Sequence, residues 1–201
     1  MPEQPADRVA QTAVPIHPPI AQRWSPRAFD PQAEVTTEDL TALLEAARWA
    51  ATWGRSQPVH FIVGARRAGD VTHEALSGLL SRGNAYAKAA GALILVCADE
   101  GDDENTALYS AVDAGAAEAS LIIEAVSRGL ITHPMAGFDV DGARAAFAIP
   151  DHVRPLMVIA VGSLADYRHV DPEVAERDAT PRERKPLDAV AFSGRWGQSW
   201  R

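Results

Sequence analysis

An uninterrupted apolar stretch at residues 92–98 requires a sheet with a central strand buried on both faces. The stretch reads Ala-Leu-Ile-Leu-Val-Cys-Ala, so neither face offers a charged or amide side chain to water, and its length is typical of a strand. Shorter apolar runs at 59–63 and 156–162 predict two more strands, and 130–134 is a candidate for a fourth. Helices must cover both faces of such a sheet.

Helical periodicity fills the stretches between these runs. Apolar or small residues recur at helical spacing in residues 37–50, 69–81, 106–129 and 140–147. The alternation predicts one three-layer α/β (α+β) domain over residues 20–201. We expect an extended, proline-rich arm at 1–19 and a tail from residue 165 that wraps over a neighbouring surface.

The longest predicted helix, residues 106–129, is rich in small side chains. They are Ala111, Ala114, Gly115, Ala116, Ala117 and Ala119. Such a surface allows another helix to approach closely, and a tightly packed core helix explains it equally well.

Composition and charge exclude several classes of protein. A net charge of −8 argues against a general nucleic-acid binder, which usually has a basic face. The single cysteine, Cys97, lies in the buried run, and the six histidines show no ligand spacing, so we expect neither a disulfide nor a metal site. No stretch approaches the ~20 apolar residues that span a bilayer. We therefore expect a cytoplasmic protein without a membrane partner.

Basic residues nevertheless cluster near both ends of this acidic chain. Arg23 and Arg27 form the first cluster, and Arg182, Arg184 and Lys185 form the second. A guanidinium group binds phosphate well because its planar fork donates two parallel hydrogen bonds to two oxygens. The clusters are explained either by an anion held between them or by ordinary solvated surface charges, and charge alone favours the surface charges.

Two polar segments between predicted elements are further candidate sites. In residues 51–58, Gly54 allows unusual backbone angles and Gln57 offers an amide to the edge of a heterocycle. In residues 82–88, Asn84 offers a donor and an acceptor that suit a pyrimidine edge. The plain alternatives are a simple helix-to-strand connection at 51–58 and a residue at a helix end for Asn84.

The segment 132–139 is a third candidate. Met135, Ala136 and Gly137 lie between an extended stretch and a helix, so their backbone N–H groups are free to donate. The helix N-terminus beyond adds a partial positive field that suits a ring nitrogen or a small anion. His133 titrates near neutrality and is either a proton carrier or a structural residue. The common phosphate-loop, dinucleotide-binding and serine-nucleophile motifs do not occur in the chain.

Four segments, in this order, resemble the nitroreductase family of FMN-dependent oxidoreductases over roughly residues 20–197. The matching residues are Arg23, Ser25, Arg27 and Phe29; Gln57 and Pro58; Pro134, Gly137, Phe138 and Asp139; and Arg182, Arg184, Pro186 and Leu187. The resemblance implies a three-layer nitroreductase-like sandwich with a central, mostly antiparallel sheet flanked by helices. It also implies a homodimer, with a long central helix at the dimer interface and two FMN sites between the subunits.

The resemblance further implies which residues form the site. The cofactor-binding residues would be Arg23, Trp24, Ser25, Arg27, Asn84, Met135, Ala136, Gly137, Arg182 and Arg184. Flavin N5 would lie near the backbone of Ala136 and Gly137, and no catalytic side chain would be required. The substrate would meet Trp53, Arg55 and Phe138.

The implied reaction is ping-pong hydride transfer from NADH or NADPH, through flavin N5, to an electron-poor small molecule such as a nitroaromatic, a quinone or an enal. The chain departs from its relatives at Arg55, where many have asparagine, and at Ala136, where many have glutamate. These departures motivate two alternatives. One is a flavin-binding or sequestering protein with little NAD(P)H turnover, and the other is a family member with different flavin chemistry. A non-catalytic α/β interaction domain remains if no flavin binds.

Overall fold

The computed structural model describes residues 8–201, so the first seven residues of the predicted arm lie outside the described part. The α-helices are α1 (Pro18–Gln22), α2 (Thr37–Arg48), α3 (Val71–Leu79), α4 (Glu104–Ser127), α5 (Val140–Phe147) and α6 (Pro172–Ala179). The strands are β1 (Val59–Ala65), β2 (Ala92–Asp99), β3 (Ile131–Met135) and β4 (Val153–Gly162). Short 3₁₀ segments occur at Arg82–Ala89, Tyr167–His169 and Leu187–Ala189.

The four strands of the described chain form one sheet in the order β1-β2-β4-β3, and each neighbouring pair is antiparallel. The predicted antiparallel sheet flanked by helices is therefore confirmed. Strand β3 lies at one edge, which is where a strand containing Pro134 is tolerated, because an edge strand has backbone groups without ladder partners.

Alternating side chains of β2 supply both cores, which explains why the run at 92–98 is apolar throughout. Ile94 and Val96 join the cluster under α2 and α4, together with Leu43 and Leu121. The intervening residues, Leu93, Leu95 and Cys97, join the opposite cluster, which includes Leu76 of α3 and Ala143 of α5. Successive strand residues point to opposite faces, so both helical layers pack on this one strand.

Helix α4 divides its small residues between two surfaces. Ala114 and Ala117 are buried against the sheet, whereas Ala111, Gly115 and Ala119 are exposed. The apolar side chains of Leu108 and Val112 lie on the exposed part of the helix, at 65% and 63% exposure. The helix is thus a packed core helix on one side and an apolar surface on the other.

Three details differ from the sequence-based expectation. Residues 82–88 lie in a 3₁₀ helix rather than an open loop, because such short helices leave no long periodic pattern. Strand β4 begins at Val153 instead of 156 and includes Pro155, which pairs with Cys97 at a register shift. The tail after residue 165 contains α6, which begins with Pro172 at its first turn and is capped by Asp171. No helix in residues 8–201 is long and apolar enough to cross a bilayer.

Candidate functional site

The two arginine-rich ends of the chain meet at one cavity of about 340 Å³. The residues that line it are Arg8, Arg23, Trp24, Ser25, Arg27, Arg177, Asp178, Thr180, Arg182 and Arg184. We call this space the arginine cavity. Backbone hydrogen bonds from Asp30 to Ser163 and from Ala165 to Ala28 fix the first cluster beside the end of β4. The second cluster follows α6, so one side of the cavity comes from each end of the chain.

A buried carboxylate joins these two sides. Asp178 of α6 is only 1% exposed, and its oxygens accept hydrogen bonds from the backbone N–H groups of Arg27 at 2.9 Å and Ala28 at 3.1 Å. The Tyr167 hydroxyl donates to the same carboxylate at 2.8 Å, and burial together with this bond raises the pKa of Tyr167. Arg27 Nη1 adds an ion pair at 3.4 Å. Asp178 therefore fixes the position of the first arginine cluster.

Arg8 extends over the cavity from the segment before α1. Its guanidinium lies 4.8 Å from the centroid of the Trp24 ring, and its Nη1 donates to the Thr180 carbonyl at 2.7 Å. Arg182 donates to the Arg8 carbonyl oxygen. Within residues 8–201, Arg8 Nε and Nη2 are buried and have no hydrogen-bond partner. These two donors are consistent with a binding partner that is not part of the protein.

The guanidinium groups in the cavity repel one another. Burial lowers the pKa of Arg23, and the nearby guanidinium groups of Arg182 and Arg184 lower it further. Burial and the charges of Arg184 and Arg8 likewise lower the pKa of Arg182. Guanidinium groups nevertheless remain protonated in proteins, so the repulsion persists at neutral pH. A bound anion would relieve it, and a phosphate would do so strongly because it carries nearly two negative charges at pH 7.

Glu118 of α4 is the acidic neighbour of this cluster. Burial raises the pKa of its carboxyl group, and the positive charge of Arg23 acts in the opposite direction. Glu118 offsets part of the charge on Arg23, whose Nη1 also donates to Ser25 Oγ at 3.0 Å. The long helix therefore supplies a negative charge near the first cluster.

A second group of predicted residues lies where β3 leads into α5. Asn84 Nδ2 donates to the Gly137 carbonyl at 2.9 Å, and the Ser81 N–H donates to the same oxygen at 3.1 Å. A Cβ on residue 137 would lie 2.8 Å from both Asn84 Nδ2 and Ser81 Oγ, so a larger residue would force these side chains to move. Ala136 is exposed, whereas Met135 is buried at the end of β3. Asn84 thus holds the 135–137 backbone in place.

Aromatic contacts connect this second group with the arginine cavity. The Tyr86 ring lies 5.8 Å from the Arg27 guanidinium and 5.6 Å from that of Arg177. His133 meets the edge of Tyr86 at 5.2 Å, and its Nδ1 lies 3.0 Å from the Pro26 carbonyl. Because a carbonyl only accepts, Nδ1 carries the proton in this contact. Burial lowers the pKa of His133, which favours the neutral ring.

The predicted substrate residues lie outside the lining of the arginine cavity. Trp53 is 41% exposed, and its ring stacks on Tyr109 of α4 at 5.4 Å. The backbone N–H of Trp53 donates to the Asp113 carboxylate at 2.9 Å. Arg55 is exposed in the same segment, where Gln57 adopts a positive φ of 46°. Phe138 packs against the core beside α3 and α5. A single chain therefore does not bring Trp53 and Arg55 into the lining of the arginine cavity.

Comparison with known proteins agrees with this architecture. The model of the nitroreductase family matches residues 20–163, which is most of the chain. The chain belongs to the nitroreductase family. It is 63% identical over 145 residues to an uncharacterised 15.4 kDa protein of Mycolicibacterium smegmatis, covering 69% of this chain and 98% of that relative.

Solved structures show the same fold for this nitroreductase-family chain. An oxidoreductase containing FMN superposes with a TM-score of 0.87 at 31% identity, over 98% of this chain and 100% of the other. A nitroreductase family protein from Clostridium difficile 630 superposes with a TM-score of 0.67 at 25% identity, over 86% of this chain and 94% of the other. The nitroreductase-like sandwich expected from the sequence is confirmed.

Sequence reasoning missed several residues of this nitroreductase-family site. Arg8 lies in the segment that was expected to be an extended arm, and no pattern around it indicates a role. Arg177, Asp178 and Thr180 belong to α6 and its C-terminal cap. The Asp171-Pro172 start of α6 is a helix signal that was available in the sequence. Asp113 was also missed, although an acidic side chain on the buried side of a helix is unusual.

Proposed function

We propose that the protein is an FMN-dependent oxidoreductase that moves a hydride from NADH or NADPH to an electron-poor small molecule. The acceptor classes are nitroaromatics, quinones and enals. The observation that carries the proposal is the arginine cavity, in which guanidinium groups from both ends of the chain converge. Membership of the nitroreductase family and the likeness to an oxidoreductase containing FMN support it.

The residues of the cavity fit the phosphate of FMN. Arg23, Arg182 and Arg184 supply charge and planar donor forks, and Ser25 supplies a hydroxyl beside Arg23. The buried, unpaired nitrogens of Arg8 in the described chain provide donors that an anion would satisfy. A hydrogen bond to a charged group contributes about 1.5–3 kcal/mol, so several such bonds hold a dianion firmly.

The remaining predicted residues would face the flavin ring. When bound, FMN supplies the redox chemistry, accepting hydride from a nicotinamide and delivering it to the acceptor. The exposed backbone at Ala136, beside Gly137, would meet the ring, and Asn84 would keep this stretch in position through its bond to the Gly137 carbonyl. Arg27 would place a positive charge near the ring and favour the reduced, anionic state.

We propose that the functional unit is a homodimer. An exposed apolar strip on α4 would be buried by a second copy. It consists of Leu108, Ala111, Val112, Gly115 and Ala119. Trp53 and Arg55, which lie away from the arginine cavity of their own chain, would then contribute to the substrate space of the partner's site. This arrangement gives the 51–58 segment a role that it lacks in a single protomer.

A flavin-binding or sequestering protein with little NAD(P)H turnover is the second candidate. Ala136 favours it, because an exposed methyl group stands where many relatives carry glutamate. Arg55 favours it as well, since a long cation stands where a short amide is usual. A family member with other flavin chemistry would share the same site.

Spectroscopy of the purified protein tests the proposal. We expect flavin absorbance in the protein as isolated, or after FMN is added and free FMN is removed. Anaerobic mixing with NADH or NADPH should bleach that absorbance, and an acceptor panel should restore it. A protein that never retains FMN would refute the proposal. A bound flavin that stays oxidised with both nicotinamides would favour the second candidate.

A further inference from the structure

The unpaired donors of Arg8 form one complete edge of its guanidinium group. Nε–H and one N–H of Nη2 point in the same direction and together make a two-pronged donor, while Nη1 is occupied by the Thr180 carbonyl. In the described chain, both nitrogens of that edge are buried without a partner. Burying two guanidinium donors without acceptors is costly, so this edge is suited to an acceptor with two oxygens.

Three contacts hold Arg8 in this orientation before any ligand binds. Its guanidinium lies over the Trp24 ring, 4.8 Å from the ring centroid, which limits the movement of the fork. The Arg8 backbone carbonyl accepts a hydrogen bond from the Arg182 side chain. Two residues further on, the Ala10 N–H donates to the Ala21 carbonyl at 2.8 Å and ties this segment to α1. A preorganised arginine loses less side-chain entropy when it binds than a mobile one.

We propose that Arg8 is a bidentate ligand for the phosphate group in the arginine cavity, so that the segment before α1 completes the anion site. The inference rests on the proposed function, since FMN is the phosphate ester expected there. It adds a ligand that lies outside the residues matched by the family model. Arg8 would bind the phosphate from the side of Trp24. It comes from the opposite end of the chain to Arg182 and Arg184, but it lines the same cavity.

The experiment compares FMN with riboflavin, which lacks the phosphate. Arg8→Met keeps an apolar stem against Trp24 and removes the charged fork. We expect Arg8→Met to weaken FMN binding roughly tenfold to a hundredfold, the usual effect of losing hydrogen bonds to a charged group, and to leave riboflavin affinity unchanged. Arg8→Lys restores the charge without the fork, so it should recover only part of the FMN affinity.

Arg154→Met is the matched control, because Arg154 is exposed at the start of β4 and pairs with Glu100. It changes the net charge equally and should leave both affinities unchanged. Fluorescence titration measures the FMN and riboflavin affinities of the unsubstituted protein and of each variant.

The outcomes separate the inference from the proposed function. If the unsubstituted protein binds FMN and Arg8→Met binds it equally well, Arg8 is not a ligand, while the proposed function stands. Equal losses for FMN and riboflavin would assign Arg8 a merely structural role. An unsubstituted protein without affinity for FMN would overturn the proposed function and this inference together. If Arg8→Met does not fold, Arg8→Lys decides: an FMN affinity equal to that of the unsubstituted protein refutes the fork.

Discussion

Asp178 offers the sharpest test of how the site is held together. Replacing Asp178 with alanine removes the acceptor for four donors, namely the backbone N–H groups of Arg27 and Ala28, the hydroxyl of Tyr167 and the Arg27 guanidinium. A stranded buried donor costs about 1–3 kcal/mol, and breaking a buried charge pair typically costs about 3–5 kcal/mol. The Arg27 side chain is 26% exposed, so water can solvate its freed charge. We therefore expect Asp178→Ala to lower the free energy of unfolding by about 3–5 kcal/mol, without adding the cost of each stranded donor to that of the broken pair.

Urea unfolding followed by circular dichroism measures this loss. Tyr167→Phe is the matched variant, because it removes one donor and leaves the other contacts of the carboxylate in place. It should cost about 1 kcal/mol. Asp178→Ala should also weaken FMN binding, since the segment that carries Arg23 and Arg27 loses its anchor. The reasoning fails if Asp178→Ala is no less stable than Tyr167→Phe.

Three further outcomes are expected. Arg184→Ala should weaken FMN binding by about 1.5–3 kcal/mol and spare riboflavin, and unchanged FMN affinity in titration would contradict a phosphate contact. Val112→Glu places a charge on the exposed strip of α4 and should shift the protein from dimer to monomer in light scattering; a persisting dimer would place the interface elsewhere. Burial lowers the pKa of His133, so stability should fall as the pH drops through about 6.5, where the unfolded chain takes up the proton. His133→Gln should flatten that pH dependence of urea unfolding, and an unaltered slope would exclude His133 as its source.

The sheet was predictable because its most buried strand, β2, is apolar throughout in the sequence. β2 is buried on both faces, and a short, continuous apolar run is typical of such a central strand. The start of β4 was missed because Pro155 resembles a strand boundary, whereas a register shift opposite Cys97 accommodates it. The local signal at a proline did not reveal how the neighbouring strand would adapt.

Helix α6 and the role of Arg8 depend on contacts between distant parts of the chain. Only Ala175 and Asp178 of α6 are buried, so the helix lacks the apolar stripe that periodicity detects. Arg8 gains its position from Trp24, Thr180 and Arg182, and no local pattern links these residues. The family resemblance implied that the two arginine clusters converge, but nothing in the sequence indicated the carboxylate that joins them.

The cytoplasmic location and the use of NADH or NADPH stay predictions, each with a direct test. Fractionation of cells tests the first, and the rates of anaerobic reduction test the second. The acceptor is addressed by the same panel that tests turnover.

The span between Arg27 and Asp178, 151 positions along the chain, has a consequence for biosynthesis. A ribosome releases the polypeptide from its N-terminus, so Arg8 and Arg23 emerge long before Arg182 and Arg184 exist to face them. An anion can then be bound by both arginine clusters only after Arg182 and Arg184 have been synthesised. If FMN binds as proposed, its loading would be completed only late in synthesis, and a chain truncated before Arg182 would not retain it.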